Sequence, residues 1–420
     1  MTPCLILPPA DWLRVCRDLA WSEISTMPGH QFRLGPRITN HQAGLQADSA
    51  QALDWSPGGL ALDSLARMQL ATAAATWCNA YDAGFEDLFL AKHKVSDWAD
   101  AMQRARSAGA RHLTFTTSGS TGPRRHLRHT EALLLQEAHA WASVLGDTLL
   151  GKPQRIVVLA PTHHIYGFIW GVLLPLVLDV PVVDADLTTL PELHTGDLLV
   201  AVPDQWLWLA TSAARAGRWP AGVRGISSTA PLASATHHAL ITPQAPESAA
   251  ALSCLLQIYG STETGGVAWR DSPDGDYRLA PGRARSEADQ IELVLPDGQH
   301  LLLPLQDEIR WRDANHFELL RRVDASVQVG GYNVSPAWVV EQLCAHPVAH
   351  GASVRLNTTA APPRLKAFVV VTRPDDLEAR QSFEAWMTET LPWYALPTTV
   401  RYGLELPCNA LGKPSDWAAD

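Results

Sequence analysis

The sequence predicts an α/β fold, a large N-terminal α/β domain followed by a small α+β domain. Three observations carry that prediction. After Gly109 short apolar runs recur, each ending in a polar or Gly-rich loop. Amphipathic patterns of helical period lie between them, and strand–helix alternation is the signature of a sheet with parallel strands. From about Ala325 a further strand and helix stand apart, enough for a second, small domain.

The elements follow in order. Ala52 to Gly109 reads as mostly helical. Strands are expected at His112–Thr116, Arg155–Ala160, Asp197–Val202, Gly222–Ile226 and Leu255–Tyr259. Thr130 caps a helix with Glu131 in its first turn and Leu133, Leu134, Trp141, Val144 and Leu145 along it. Ile165 to Val183 is the most apolar stretch, but Pro175, Asp179 and Pro181 interrupt it. It reads as a buried helix followed by a strand, not as a membrane span. Pro203 to Arg215 begins another helix. Gln290–Arg310 reads as antiparallel strands around a Pro296-Asp297-Gly298 turn. The small domain holds a strand at Lys366–Thr372 and a helix at Asp375–Leu391. In parallel sheets ligands sit at the carboxyl ends of the strands, and the polar motifs fall at those ends.

Composition narrows the function classes. The 420 residues suit two or three domains, and 46% apolar with 18% charged residues excludes disorder as the dominant state. A net charge of −10 repels phosphate backbones, so no nucleic-acid partner is expected. The six cysteines are scattered, without zinc-type spacing, and read as reduced cytosolic thiols. Met1 to Pro9 lacks a basic leader region, so a cytoplasmic location is the expectation.

Four segments carry chemistry. Thr117-Ser118-Gly119-Ser120-Thr121-Gly122, followed by Pro123, Arg124 and Arg125, has the glycines, hydroxyls and charge of a polyphosphate cradle. A polar surface turn is the plainer reading of those residues alone. A Walker A loop is excluded, because its Gly-Lys-Ser/Thr ending is missing. Tyr259-Gly260-Ser261-Thr262-Glu263-Thr264-Gly265-Gly266 presents one carboxylate at the end of a strand, and Glu263 suits magnesium, a hard cation. Taken alone, Glu263 reads more readily as a solvated loop carboxylate than as a metal ligand. The third segment is Arg322-Val323-Asp324 with Gly330-Gly331-Tyr332-Asn333. The fourth is Pro407 to Lys413, whose lysine stands out in a chain with five lysines among 33 basic residues.

In identity, order and spacing these segments resemble the adenylate-forming superfamily of acyl-CoA synthetases, peptide-synthetase adenylation domains and luciferases. Ser118–Gly122 resembles its phosphate loop and Tyr259–Glu263 its Y-G-x-T-E motif. Arg322–Asp324 resembles its hinge and Pro407–Lys413 its lysine motif. Pro161–Gly167 is similar to the segment beside the acid pocket, and Ser227–Leu232 to the loop on the adenine. The likeness spans about Leu113 to Lys413. There are departures. Arg124 or Arg125 replaces the loop lysine, Leu305-Gln306-Asp307 replaces T-G-D, and Gln328, Trp338 and Val340 replace common charged residues.

The resemblance implies a large AMP-binding domain over 1–323, shortened at its N-terminal end, and a small mobile C-terminal lid over 324–420. It implies ATP and Mg2+ as cofactors, and two half-reactions. A carboxylic acid attacks the α-phosphate to give an acyl-adenylate, and then a thiol takes the acyl group. Thr117, Ser118, Gly119, Ser120, Thr121, Gly122, Arg124 and Arg125 would hold the phosphates. Thr229, Ala230, Pro231, Tyr259, Gly260 and Ser261 would line the nucleotide. Thr262 would contact the α-phosphate and Glu263 the metal. Asp307 and Arg322 would contact the ribose. Lys413 would bridge the reacting groups, with His164 among the catalytic residues. Asp324 would be the hinge. Gly330, Gly331 and Tyr332 would line a thiol tunnel for coenzyme A or an acyl carrier protein. His163, His164, Tyr166, Trp170, Gly265, Gly266 and Val267 would line the acid pocket. Aromatic and histidine walls favour a flat hydroxylated aromatic acid, such as a hydroxybenzoate or hydroxycinnamate. The chain also resembles the compact bacterial AMP-ligases of aryl-polyene and xanthomonadin pigment pathways. Alternatives are a fatty-acid or amino-acid adenylating enzyme, or a non-catalytic nucleotide-binding homologue. The Thr162–Ile165 segment has no aspartate for an amino group, which disfavours an amino acid.

One further motif, Leu62-Asp63-Ser64-Leu65, is similar to a phosphopantetheine attachment site. An N-capped amphipathic helix is the commoner origin of that pattern.

Overall fold

The computed structural model describes residues 5–24, 54–55, 60, 62–117, 125–147, 151–187, 190–212, 219–242, 251–295, 297–322, 326–330, 332–360, 362–407 and 416–417. It opens with helices α1 (Pro9–Ile24), α2 (Ser64–Trp77), α3 (Glu86–Ala91) and α4 (Val95–Ser107), with a 3-10 turn before α3. Asp63 is the N-cap of α2, its carboxylate accepting from the Ala66 amide at 2.8 Å. The Asp-Ser-Leu pattern thus does the work of a helix start.

Strands β1 (His112–Thr116) and β2 (His126–Thr130) pair antiparallel, and α5 (Glu131–Asp147) follows at once. Thr130 Oγ1 accepts from the Leu133 amide at 3.2 Å, capping α5 as its sequence predicts. β3 (Arg155–Val158) leads to a stretch that is not one regular helix. α6 (Ile165–Phe168) runs into a π-helical turn (Ile169–Leu173) and then α7 (Leu174–Leu178). Pro175 cannot donate to the Gly171 carbonyl one turn back, and a π turn accommodates such a break. β4 (Val182–Asp184), β5 (Asp197–Ala201), α8 (Pro203–Thr211), β6 (Arg224–Ser227), α9 (Ser234–Ile241) and β7 (Cys254–Ser261) complete the alternating part. β8 (Gly265–Arg270), β9 (Tyr277–Leu279), β10 (Arg283–Arg285), β11 (Ile291–Val294), β12 (His300–Leu302), β13 (Asp307–Trp311) and β14 (His316–Arg322) are the antiparallel continuation.

The main sheet has the order β13-β14-β9-β8-β7-β6-β5-β3-β4. From β4 to β7 every pairing is parallel, and β7-β8-β9-β14 is antiparallel. Strict alternation along the strands builds two cores. Ile156, Val158, Leu198 and Val200 join the larger one with Trp12, Trp77, Phe115 and Trp141. Val157, Leu159, Leu199 and Ala201 join another with Trp206 and Leu209 of α8 and Leu240 of α9. Both faces of the parallel strands are therefore covered, which is why these runs read as almost wholly apolar. His112–Thr116 departs from the predicted parallel order. It pairs only with β2, in a hairpin of its own, because the chain turns back within a few residues and a parallel return needs a long crossover.

The chain forms two compact units. One spans Met1–Thr116, His126–Leu305 and Ile309–Leu319; the other takes Thr117–Arg125, Gln306–Glu308 and Leu320–Asp420. In the second, hairpin β15 (Val327–Val329) and β16 (Tyr332–Val334) precedes α10 (Pro336–Cys344), β17 (Gly351–Asn357), β18 (Arg364–Val370), α11 (Leu377–Thr390) and β19 (Thr399–Gly403). β17 is antiparallel and β19 parallel to β18, and Val339, Leu343, Phe383 and Met387 pack on Leu365, Ala367 and Val369.

Candidate active site

The most constrained polar feature is the turn between β7 and β8. Ser261 and Thr264 close it reciprocally. The Ser261 amide donates to Thr264 Oγ1 at 3.0 Å, and the Thr264 amide to Ser261 Oγ at 3.3 Å. Gly260 sits at a register shift in the β7–β8 pairing, where a Cβ would stand 2.1 Å from the Gly265 carbonyl oxygen. Gly265 has φ +65°, and its Cβ would stand 2.1 Å from Glu137 Oε2. Side chains are thus excluded at both ends of the turn, which leaves Thr262 and Glu263 as its presented groups. The Glu263 carboxylate makes no hydrogen bond or ion pair among the described residues, and neither does the Thr262 hydroxyl.

The α5–β2 segment holds this turn from behind. Glu137 of α5 accepts from the Gly266 amide at 2.8 Å and from Trp141 Nε1 at 3.2 Å. Burial pushes the Glu137 carboxyl above the ordinary range, against the pull of Arg283 3.9 Å away. His129 of β2 donates from Nε2 to the Thr262 carbonyl at 2.8 Å; a carbonyl only accepts, so Nε2 carries the proton. Burial holds the His129 ring below the ordinary imidazole range, although Glu263 draws it upward. The Phe115 ring edge meets the imidazole at 5.8 Å between centroids.

At the carboxyl end of β6 the loop Ser227–Leu232 is strained. Thr229 has φ +80°, costly for a β-branched residue. Ser228 Oγ donates to the Ile258 carbonyl at 3.0 Å and pins the loop to β7. Ser227 Oγ and Thr229 Oγ1 are buried without hydrogen-bond partners among the described residues. Orphaned hydroxyls at the carboxyl end of a parallel strand suit the polar edge of a nucleotide.

The loop after β3 brings His163 and His164 together, with ring centroids 4.0 Å apart. The His163 carbonyl accepts from Trp77 Nε1 at 2.9 Å. Thr162 is anchored by α1: both its amide and its hydroxyl donate to Asp18 Oδ2 at 2.8 Å. Four further charges continue that anchor. Arg14 and Arg17 bridge to Asp184 at the end of β4, at 2.6 and 2.7 Å, and Arg14 also pairs with Asp11. Burial alone would raise the Asp184 carboxyl, but Arg14 and Arg17 outweigh it and hold it low.

Other sequence-predicted pocket residues are engaged in packing. The Tyr166 hydroxyl lies 2.9 Å from the Ile226 carbonyl and 3.1 Å from that of Ala201, tying β5 to β6. The Trp170 ring stacks on Trp141 at 5.3 Å. Gly265 and Gly266 face Glu137 and Trp141, and Val267 is fully buried among Tyr277, Leu279 and Phe317. The Tyr259 ring packs between Tyr277 and Phe317. Ala230 and Pro231 follow Thr229 in its loop and are partly exposed.

In the second unit, Thr117 and Arg125, the described residues on either side of 118–124, bond to each other. The Thr117 amide donates to the Arg125 carbonyl at 2.9 Å, and the Arg125 amide to Thr117 Oγ1 at 3.2 Å. Asp307 opens β13, and the Arg322 guanidinium donates to Gln306 Oε1 at 2.6 Å. Gly330 turns the β15–β16 hairpin at φ +57°. Tyr332 stacks on Tyr394, with centroids 4.3 Å apart and planes within 2°. Ser118, Gly119, Ser120, Thr121, Gly122, Arg124, Asp324, Gly331 and Lys413 lie outside the described residues.

Three contributors escape the motif reading: His129, Glu137 and Asp18. Glu137 had a legible signal, a carboxylate on the apolar stripe of α5 between Leu134 and Trp141. His129 and Asp18 had none, because each acts through a contact more than a hundred residues away in sequence.

Comparison with known proteins agrees with this geometry. Residues 65–302 match the family model described as AMP-binding enzyme. A 4-coumarate–CoA ligase of Halorhodospira halophila is 37% identical over 406 residues, covering 96% of this chain and 97% of its own length. One of Rhodobacter capsulatus is 36% identical, covering 86% of this chain and 90% of its own. The amide bond synthetase McbA of Marinactinospora thermotolerans shares the fold. Its TM-score is 0.54 at 19% identity, over 72% of this chain and 67% of that one. The chain belongs to the AMP-binding enzyme family and is an AMP-forming acid–thiol ligase.

Proposed function

We propose that the chain activates a hydroxylated aromatic acid of the hydroxycinnamate type with ATP and transfers it to a phosphopantetheine thiol. The observation that carries the nucleotide half is the rigid turn presenting Glu263 and Thr262 with no competing partner among the described residues. Glu263 would hold magnesium, which would supply positive charge to neutralise the phosphates. Thr262 would donate to the α-phosphate, and Ser227 and Thr229 to the nucleotide's polar edge. Thr117 to Gly122, Arg124 and Arg125 would grip the β- and γ-phosphates, and Asp307 and Arg322 the ribose. Lys413 would place positive charge where the carboxylate meets the α-phosphate. The protein's task in this step is positioning and charge neutralisation.

Relatives named 4-coumarate–CoA ligase at 33–37% identity support a hydroxycinnamate and coenzyme A. The adjacent His163 and His164 rings support a flat acid with a hydroxyl to hydrogen-bond. We take the large domain as 1–323 and the lid as 324–420, with Asp324 the hinge and Gly330 to Tyr332 the thiol path. Among the described residues no helix is long and apolar enough to cross a membrane. ATP as co-substrate points to the cytoplasm. A second reading, transfer to an acyl carrier protein as in aryl-polyene and xanthomonadin ligases, rests on Arg124 and Arg125 and on the Gly412–Trp417 ending.

ATP–pyrophosphate exchange with hydroxycinnamates, hydroxybenzoates, fatty acids and amino acids tests the acid class. Hydroxycinnamates should exceed fatty acids at least tenfold in kcat/KM, about 1.4 kcal/mol of discrimination. Equal rates with octanoate would sink the aromatic assignment. Thioester formation with coenzyme A against a loaded carrier protein decides the acceptor.

A further inference from the structure

We infer that His129 is a positioning residue for the Mg·ATP site: through its bond to the Thr262 carbonyl it fixes where the Glu263 carboxylate stands. The inference rests on the proposed role of Glu263. Its basis is a second link that the family motifs do not contain. One continuous segment, β2 followed by α5, grips the turn at two points. His129 holds the carbonyl of Thr262, and eight residues later Glu137 holds the amide of Gly266. Thr262 and Gly266 flank Glu263 on either side, so the backbone carrying it is held by one rigid body. The same β2 strand leaves the phosphate loop, with His126 paired to Thr116 and His129 to Leu113. A shift of β2 therefore moves the Thr262 carbonyl with it.

His129 is itself tightly held. It is half-buried, its ring meets that of Phe115, and the helix that follows is capped by the next residue, Thr130. A hydrogen bond from a fixed ring to a main-chain carbonyl constrains direction as well as distance. The turn's own Ser261–Thr264 bonds fix its internal shape but not its attitude relative to β2. That attitude is what His129 supplies.

The test is calorimetric binding of Mg·ATP and of adenosine, which carries no phosphate, without turnover. His129→Phe keeps the ring and removes the donor; His129→Gln restores a donor. We expect His129→Phe to weaken Mg·ATP about tenfold while adenosine binding changes less than twofold, and His129→Gln to recover most of the loss. Unchanged Mg·ATP affinity in His129→Phe overturns the inference, as does a Gln variant as weak as the Phe variant. Should His129→Phe fail to fold, the wild-type protein decides. Its His129 Nε2–H resonance must move when Mg·ATP is added and stay in place with adenosine; a resonance that Mg·ATP leaves unmoved, or that adenosine moves as far, overturns the role. Wild-type protein that binds no Mg·ATP at all sinks the functional reading itself, a different result from wild-type binding that His129→Phe leaves intact.

Discussion

Single residues here are constrained by what a neighbouring element places against them. Gly265 illustrates this, since positive φ and a carboxylate oxygen within 2.1 Å of its virtual Cβ forbid any side chain. Gly84 has nearly the same φ, +68°, with nothing within 4 Å. Gly84→Ala should therefore cost only the left-handed strain, roughly 1–2 kcal/mol. Gly265→Ala should cost roughly 2–4 kcal/mol, because the contact with Glu137 adds to that strain. Urea denaturation of the two variants measures the difference, and equal losses would show that the Glu137 contact is soft. The motif around Glu263 was legible from its residues alone. That its second glycine pair serves packing against α5, and that His129 holds it, was not, because neither contact is local.

At the scale of elements, α1 is bolted to the strand ends by charge. Arg14 bonds Asp184 and also donates to the Gly171 carbonyl at 2.8 Å, the group that Pro175 cannot reach. Asp18 meanwhile fixes Thr162, next to His163 and His164. Replacing Asp184 with Asn leaves two mostly buried guanidiniums short of a counter-charge, an expected loss of about 3–5 kcal/mol at neutral pH. The Asp184 carboxyl is held below its ordinary value, so its contribution is present above about pH 4 and fades as pH falls through the lowered range. Asp11, raised by burial, titrates above it. Melting temperatures of the wild type and Asp184→Asn should therefore converge toward acid pH; a constant gap would contradict the ion-pair account. Periodicity placed the six strands it bounded within two residues of β1, β3, β5, β6, β7 and β18. It missed the separate hairpin of β1, because strand pairing is set by topology and not by composition.

For the whole molecule, two half-reactions predict separable defects. Lys413→Ala should lower ATP–pyrophosphate exchange at least about 100-fold, in line with removing one preorganised charge. Transfer of a preformed aryl-adenylate to coenzyme A should change less than about threefold, because the role proposed for the lysine is in the first step. Single-turnover assays of each half separate the two, and equal loss in both would place Lys413 elsewhere. The sequence by itself determined the α/β class, the small second domain and the order of the nucleotide motifs. Those depend on local period and on residues whose chemistry is legible one at a time. Only the tertiary structure decided that Tyr166 hydrogen-bonds to β5 and β6 and that Trp170 packs on Trp141, that α1 secures the loop of His163 and His164, and that His129 and Glu137 clamp the Glu263 turn. These are contacts between segments distant in the chain, and a side chain's partner across such a distance is fixed by how the sheet and helices pack.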